Sequence, residues 1–134
     1  MMPDRENFIM SIDAIRAGAM NKGQMSKIFE MRVYRCLPGR LTNLLERFEN
    51  HTLKLWDKHG IRQAGFFTTV IGQSNQELTY FLTWESLAER EKKWDAFVSD
   101  PVWLSVRADS EKDGRIVENI ASQILAPTAF SSVK

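Results

Sequence analysis

Between Ile28 and Leu125 the spacing of apolar residues changes period in a fixed order: strand, helix, strand, strand, helix pair, strand. Alternation marks a strand, and recurrence at three and four residues marks one face of a helix. Few single domains accommodate that order. The split βαββαβ unit does, as an α+β fold whose four-stranded antiparallel sheet carries its helices on one face. Its strands lie in the spatial order four, one, three, two, which places the first strand in the interior of the sheet.

Each switch of period is punctuated by residues that impose it. The first strand, IFEMRVYRC, ends at Pro38-Gly39, a turn signal. Leu41, Leu44, Leu45, Phe48, Thr52, Leu55, Trp56 and His59 then form one stripe of a long helix. Lys58 and Gly60 close it. A second strand is expected over 61–71 and a third over 77–84, with the hairpin turn Gly72-Gln73-Ser74-Asn75 between them. Ser86 and Glu89 match a capping box at the start of the next helix. Asp100-Pro101 supplies an N-cap and a first-turn proline for the one after. Gly114 ends that helix, and 116–125 reads as the last strand, stopped by Pro127.

The faces of the first strand raise the main question. Phe29, Met31 and Val33 share one side; Glu30, Arg32, Tyr34 and Cys36 share the other. The apolar side is expected beneath the helices, together with Phe66 or Phe67 and with Leu78, Leu82 and Trp84. The other side would then combine Tyr34, Phe81, Val70 or Ile71, and Ile120 or Ala121 with charged groups. Such a face is too apolar for water, and large exposed apolar patches mark interfaces. A homodimer that pairs the two sheets face to face follows, since a two-fold operation presents one patch to itself. A monomer with one wetted sheet face is the alternative.

Composition narrows the partners. A chain of 134 residues, 43% hydrophobic and 26% charged, suits one soluble globular domain. Its 18 basic and 17 acidic side chains give no field for nucleic acid. No run is long enough for a membrane span. Cys36, the single cysteine, has no intramolecular partner, so a reducing cytoplasmic location is the expectation. Residues 1–26 read as an N-terminal extension, either disordered or the product of an over-long start. The domain proper is expected over 27–131.

No reaction can be read from the motifs. His51 and His59 have no cysteine or carboxylate at metal-ligand spacing, and no nucleophile signature or phosphate loop is present. No metal and no cofactor are therefore indicated. Glu30 and Arg32 read as a structural pair or as part of a polar ligand site. A pocket, if present, is expected between the long helix and the sheet. Trp56, Trp84, Trp94 and Trp103 would line it, with Arg32, Tyr34 and His51 as polar contacts.

Several stretches together resemble the NIPSNAP family: Ile28-Phe29-Glu30-Met31-Arg32-Val33-Tyr34 followed by Pro38-Gly39, Lys58-His59-Gly60, Gly65-Phe66-Phe67-Thr68-Thr69, Ile71-Gly72 with Asn75, Trp84-Glu85-Ser86-Leu87-Ala88-Glu89-Arg90, Asp100-Pro101-Val102-Trp103, and Leu125-Ala126-Pro127-Thr128-Ala129-Phe130-Ser131. Phe67 stands where that family often has Trp, and Ala129 where it often has Pro. The resemblance implies a ferredoxin-like fold pairing into a dimeric α/β barrel. It implies no defined activity. Two functions remain open: a small-molecule-binding protein using that cleft, or a non-catalytic structural or protein-interaction module.

Overall fold

The computed structural model of the chain describes residues 27–134. The N-terminal extension expected over 1–26 lies outside the described residues. Strand β1 (Ile28–Cys36) leads into helix α1 (Leu41–Arg47), a single π-helical turn (Phe48–Thr52) and helix α2 (Leu53–His59). A hairpin, β2 (Arg62–Thr68) and β3 (Glu77–Trp84), follows, then helices α3 (Leu87–Val98) and α4 (Pro101–Ser110), then strand β4 (Val117–Leu125). The sheet is antiparallel in the order β2-β3-β1-β4, as the segment order requires. This is the α+β, ferredoxin-like architecture expected.

The helix boundaries follow the local chemistry. Gly60 closes α2 in the left-handed region, at φ 74°, where a side chain would be strained. Ser86 Oγ accepts from the Glu89 amide at 3.0 Å. The Glu89 carboxylate reaches back to the amide of Glu85 (2.7 Å), one residue earlier than in the usual capping box. The Asp100 carboxylate caps α4 through the Val102 amide at 2.8 Å, ahead of Pro101.

The expected long helix is present but not as one α-helix. Its middle opens into the π turn, where the Thr52 hydroxyl donates to the Arg47 carbonyl five residues back. Single π turns of this kind are inserted in α-helices, often near functional sites. The stripe survives the insertion: Leu44, Phe48, Thr52, Leu55 and Trp56 are all buried. Phe48 packs edge-on against Tyr34 and Tyr80, and Trp56 packs against Tyr80 and Phe97. Burying each such ring stabilises the fold by about 1.5–3 kcal/mol.

Phe66, Leu78, Leu82 and Trp84 lie beneath the helices as expected, but on β1 the helices cover the opposite face from the one expected. Glu30, Arg32, Tyr34 and Cys36 lie beneath them, whereas Met31 and Val33 lie on the uncovered side. The cause is register. Glu30 stands opposite Leu82, Arg32 opposite Tyr80 and Tyr34 opposite Leu78, and residues directly opposite share a face. Leu78, Tyr80, Leu82 and Trp84 are fully buried, so they bring the polar side of β1 inside with them. The charged groups are tolerated there because they satisfy one another.

Strand β2 is shorter than the expected 61–71. Its ladder shifts register between Gln63 and Phe66, a β-bulge at Gly65, which has φ 116°. The Gln63 side chain accepts from the Gly65 amide at 2.7 Å. The bulge turns Phe66 inward, stacked on Tyr80 at 4.9 Å, and leaves Phe67 on the open face against Phe81. Val70 and Ile71 then fall beyond the strand in an exposed loop.

Candidate functional site

Glu30 is the centre of the buried polar network. Its carboxylate has no solvent exposure and accepts five hydrogen bonds. Oε1 takes the Trp84 indole N–H (3.0 Å) and Arg90 Nε (2.7 Å). Oε2 takes Arg32 Nη1 (3.0 Å), Arg90 Nη2 (3.0 Å) and the Ser122 hydroxyl (2.7 Å). Burial alone would raise its pKa, but the bonds from Arg90, Ser122, Arg32 and Trp84 outweigh burial and hold it at about 2. Glu30 is therefore a fixed anion at neutral pH and already saturated.

Arg32 extends the network toward open space. Its Nε donates to the Tyr80 hydroxyl at 2.8 Å and its Nη2 to the Tyr34 hydroxyl at 3.2 Å. Its plane lies under the Trp94 ring, 4.6 Å from the centroid, a cation–π contact. The two tyrosine oxygens are 2.9 Å apart. Tyr80 is fully buried, so its proton must be used inside the protein, and it donates to Tyr34. The Tyr34 oxygen accepts both bonds. Among the described residues nothing accepts the proton of Tyr34.

Tyr34 and Arg32 form the floor of a cleft of ≈ 410 Å³. Trp94, Phe97 and Val98 of α3 and Trp103 and Arg107 of α4 line one wall, and Arg115 with Val117 to Ile120 lines the other. The cleft exists because α4 stands off the sheet: none of its residues is buried. The sheet beyond it is equally bare, with β4 exposed along nearly its whole length.

The cleft is not where the sequence pattern placed it. The space between the long helical segment and the sheet is filled by Phe48 and Trp56, and the open volume lies instead beside α3 and α4. Of the residues expected around a pocket, Arg32, Tyr34, Trp94 and Trp103 meet in this cleft. Trp56 and Trp84 are core side chains. His51, in the π turn, is exposed and lines a separate polar groove with Asn43, Glu46, Asn50 and Asp109.

The sequence pattern of the NIPSNAP family matches residues 29–132. The chain belongs to the NIPSNAP family. A NIPSNAP family protein of unknown function from Agrobacterium tumefaciens has a solved structure 25% identical to this chain; the match covers 82% of this chain and 96% of that one, with a TM-score of 0.72. A NIPSNAP-like domain protein from Burkholderia xenovorans, 22% identical over 80% of this chain and 90% of its own, gives a TM-score of 0.71. A second Agrobacterium tumefaciens family member, also 22% identical, covers 81% of this chain and 99% of its own, with a TM-score of 0.72. No curated protein sequence matches. These likenesses establish the NIPSNAP fold and carry no activity with them.

Within this NIPSNAP domain the remaining reactive groups are quiet. Burial pushes the Cys36 thiol up from its ordinary pKa, so it is a poor nucleophile. His59 Nε2 lies 2.7 Å from Asp100 Oδ2 and Lys58 Nζ lies 2.9 Å from the same oxygen. That cluster ties α2 to the start of α4. Sequence reasoning missed Arg47, Arg90 and Ser122. An arginine on or beside a helical stripe, or a serine in a strand, carries no signal until the register is known. No described helix is long and apolar enough to cross a membrane.

Proposed function

We propose that this protein binds a small molecule in the cleft floored by Arg32 and Tyr34 and walled by Trp94 and Trp103. The observation that carries this reading is the Tyr34 hydroxyl, held by two donors and left with its own proton directed to no protein acceptor. Recognition sites combine apolar walls with a few positioned polar groups, and an uncommitted donor beside tryptophan rings has that character. No reaction is assigned. A fragment screen by NMR tests the reading. Ligands of the cleft shift the Tyr34, Trp94 and Trp103 resonances, and Val98→Trp, which places a large ring in the cleft wall, blocks them. Ligands that perturb only other regions, or none at all, would refute it.

The uncovered sheet face supports a homodimer and, with it, the alternative of a non-catalytic interaction module. Phe29, Phe67, Phe81 and Leu125 line an apolar groove of ≈ 530 Å³ on that face. Phe67 is about half exposed. A second copy offers the matching surface by symmetry. Sedimentation velocity decides the matter: a dimer at micromolar concentration is expected, weakened by Phe67→Glu, and a wild-type monomer at that concentration rejects it.

A further inference from the structure

Four arginines line the cleft, and the two buried ones, Arg32 and Arg47, are satisfied to different degrees. Arg32 uses all three of its nitrogens on Glu30, Tyr34 and Tyr80. The Arg47 side chain is only 5% exposed, yet its Nε has no hydrogen-bond partner. Its Nη1 donates to the Ser110 hydroxyl at 3.1 Å. The nearest carboxylate, Glu111, is 3.8 Å away, too far for a hydrogen bond. Burial lowers the Arg47 pKa, with Glu111 only partly opposing it, whereas Arg32 is held above its usual value despite burial. A buried charge without a bonded counterion is costly. An anion in the cleft would remove that cost.

The surroundings select the kind of anion. Arg47 lies over the Trp103 ring, 5.2 Å from its centroid, and Trp103 packs on Phe97 at 4.9 Å. Arg107 and Arg115 add positive charge at the cleft wall, but Glu111 and Glu118 stand among them. Those carboxylates disfavour a dianion such as phosphate, while one under-paired guanidinium and one neutral hydroxyl donor suit a monoanion. The rings suit a flat apolar body. We propose that the cleft takes a planar aromatic carboxylate, whose carboxylate group accepts from Arg47 and from the Tyr34 hydroxyl while its ring lies against the tryptophans.

This inference rests on the cleft being the binding site, and its test separates the two. Binding of 2-naphthoate and of the uncharged isostere 2-naphthamide is measured by calorimetry on the full chain. The acid is expected to bind at least about tenfold more tightly, since a hydrogen bond between two charged groups is stronger than one to a neutral amide. Arg47→Gln is expected to remove that preference. Independently of any variant, the Arg47 Nε resonance of the wild-type protein should shift with the acid and not with the amide. Amide binding equal to acid binding, or an acid affinity indifferent to Arg47→Gln in a folded variant, overturns the anion proposal while the cleft reading stands. Failure of both compounds to bind also overturns it, and the fragment screen above then decides the cleft itself.

Discussion

Arg90 and Glu30 meet through two parallel contacts, Nε to Oε1 at 2.7 Å and Nη2 to Oε2 at 3.0 Å, which tie helix α3 to an interior strand of the sheet. Arg90 closes the network from the solvent side, its side chain 29% exposed, while Glu30 is wholly buried. The two ends of the pair therefore differ in what their loss leaves behind. Glu30→Ala strands Arg32 beneath the helices without its carboxylate, at a cost of about 3–5 kcal/mol. Arg90→Ala leaves Glu30 with Arg32, Trp84 and Ser122, and should cost less, about 1–3 kcal/mol. Urea denaturation of both variants measures the difference, and equal losses would contradict the asymmetry.

The same carboxylate sets an acid limit. Its pKa is lowered in the folded protein from 4.5 to about 2. A depressed acid stabilises the fold fully above the unfolded pKa and loses that contribution as pH falls through the folded one. Stability should therefore decline from about pH 4.5 toward about pH 2, by about 3 kcal/mol from this group. Glu30→Gln should start less stable at neutral pH and show a shallower acid slope. Asp100, lowered by its bonds from His59 and Lys58, leaves some slope in both proteins. Thermal melts across that pH range give the comparison, and identical slopes would remove Glu30 from the account.

Element order and strand order were readable because turns, caps and glycines are local signals. Pro38-Gly39, Gly60, Ser86 and Asp100 act where they stand. The covered face of β1 was not readable, because it depends on register, and shifting register by one residue exchanges the faces. The sequence did contain a hint. Tyr80 and Trp84 share a face with Leu78 and Leu82, so a hydroxyl and an indole N–H were bound to be buried, and buried donors need acceptors. Glu30 and the Arg32–Tyr34 pair supply that matching chemistry. The cleft was misplaced for a related reason. Helical periodicity identified the stripe holding Phe48 and Trp56, but not that those rings would fill their own interface while α4 stood clear of the sheet.

Gly65 is predicted to be intolerant of any side chain. Its φ of 116° lies where other residues are strained, and a Cβ there would fall 2.9 Å from the Phe67 ring. Gly65→Ala should cost about 1–3 kcal/mol. It should also move Phe67, which neighbours Phe81 on the open sheet face. The expected signature is a lower melting temperature together with shifted Phe67 and Phe81 ring resonances. A variant with native stability would mean that the bulge is not needed to place Phe66 and Phe67 on opposite faces.

Asp100 does two jobs that substitution can separate. One oxygen caps α4 at the Val102 amide, and the other meets His59 Nε2 and Lys58 Nζ. Asparagine keeps an oxygen for the cap but removes the charge, since Asn and Asp cap about equally well. Alanine removes both. Lys58 is largely exposed, so its pair contributes little, and screening weakens it further. The ordering expected is therefore wild type above Asp100→Asn, with Asp100→Ala lowest and below the exposed cap variant Ser86→Ala. Because α4 carries Trp103 into the cleft wall, loosening its first turn should also broaden the Trp103 indole resonance in Asp100→Ala and leave it sharp in Ser86→Ala. Equal broadening in the two variants would mean that α4 is held in place by something other than its cap.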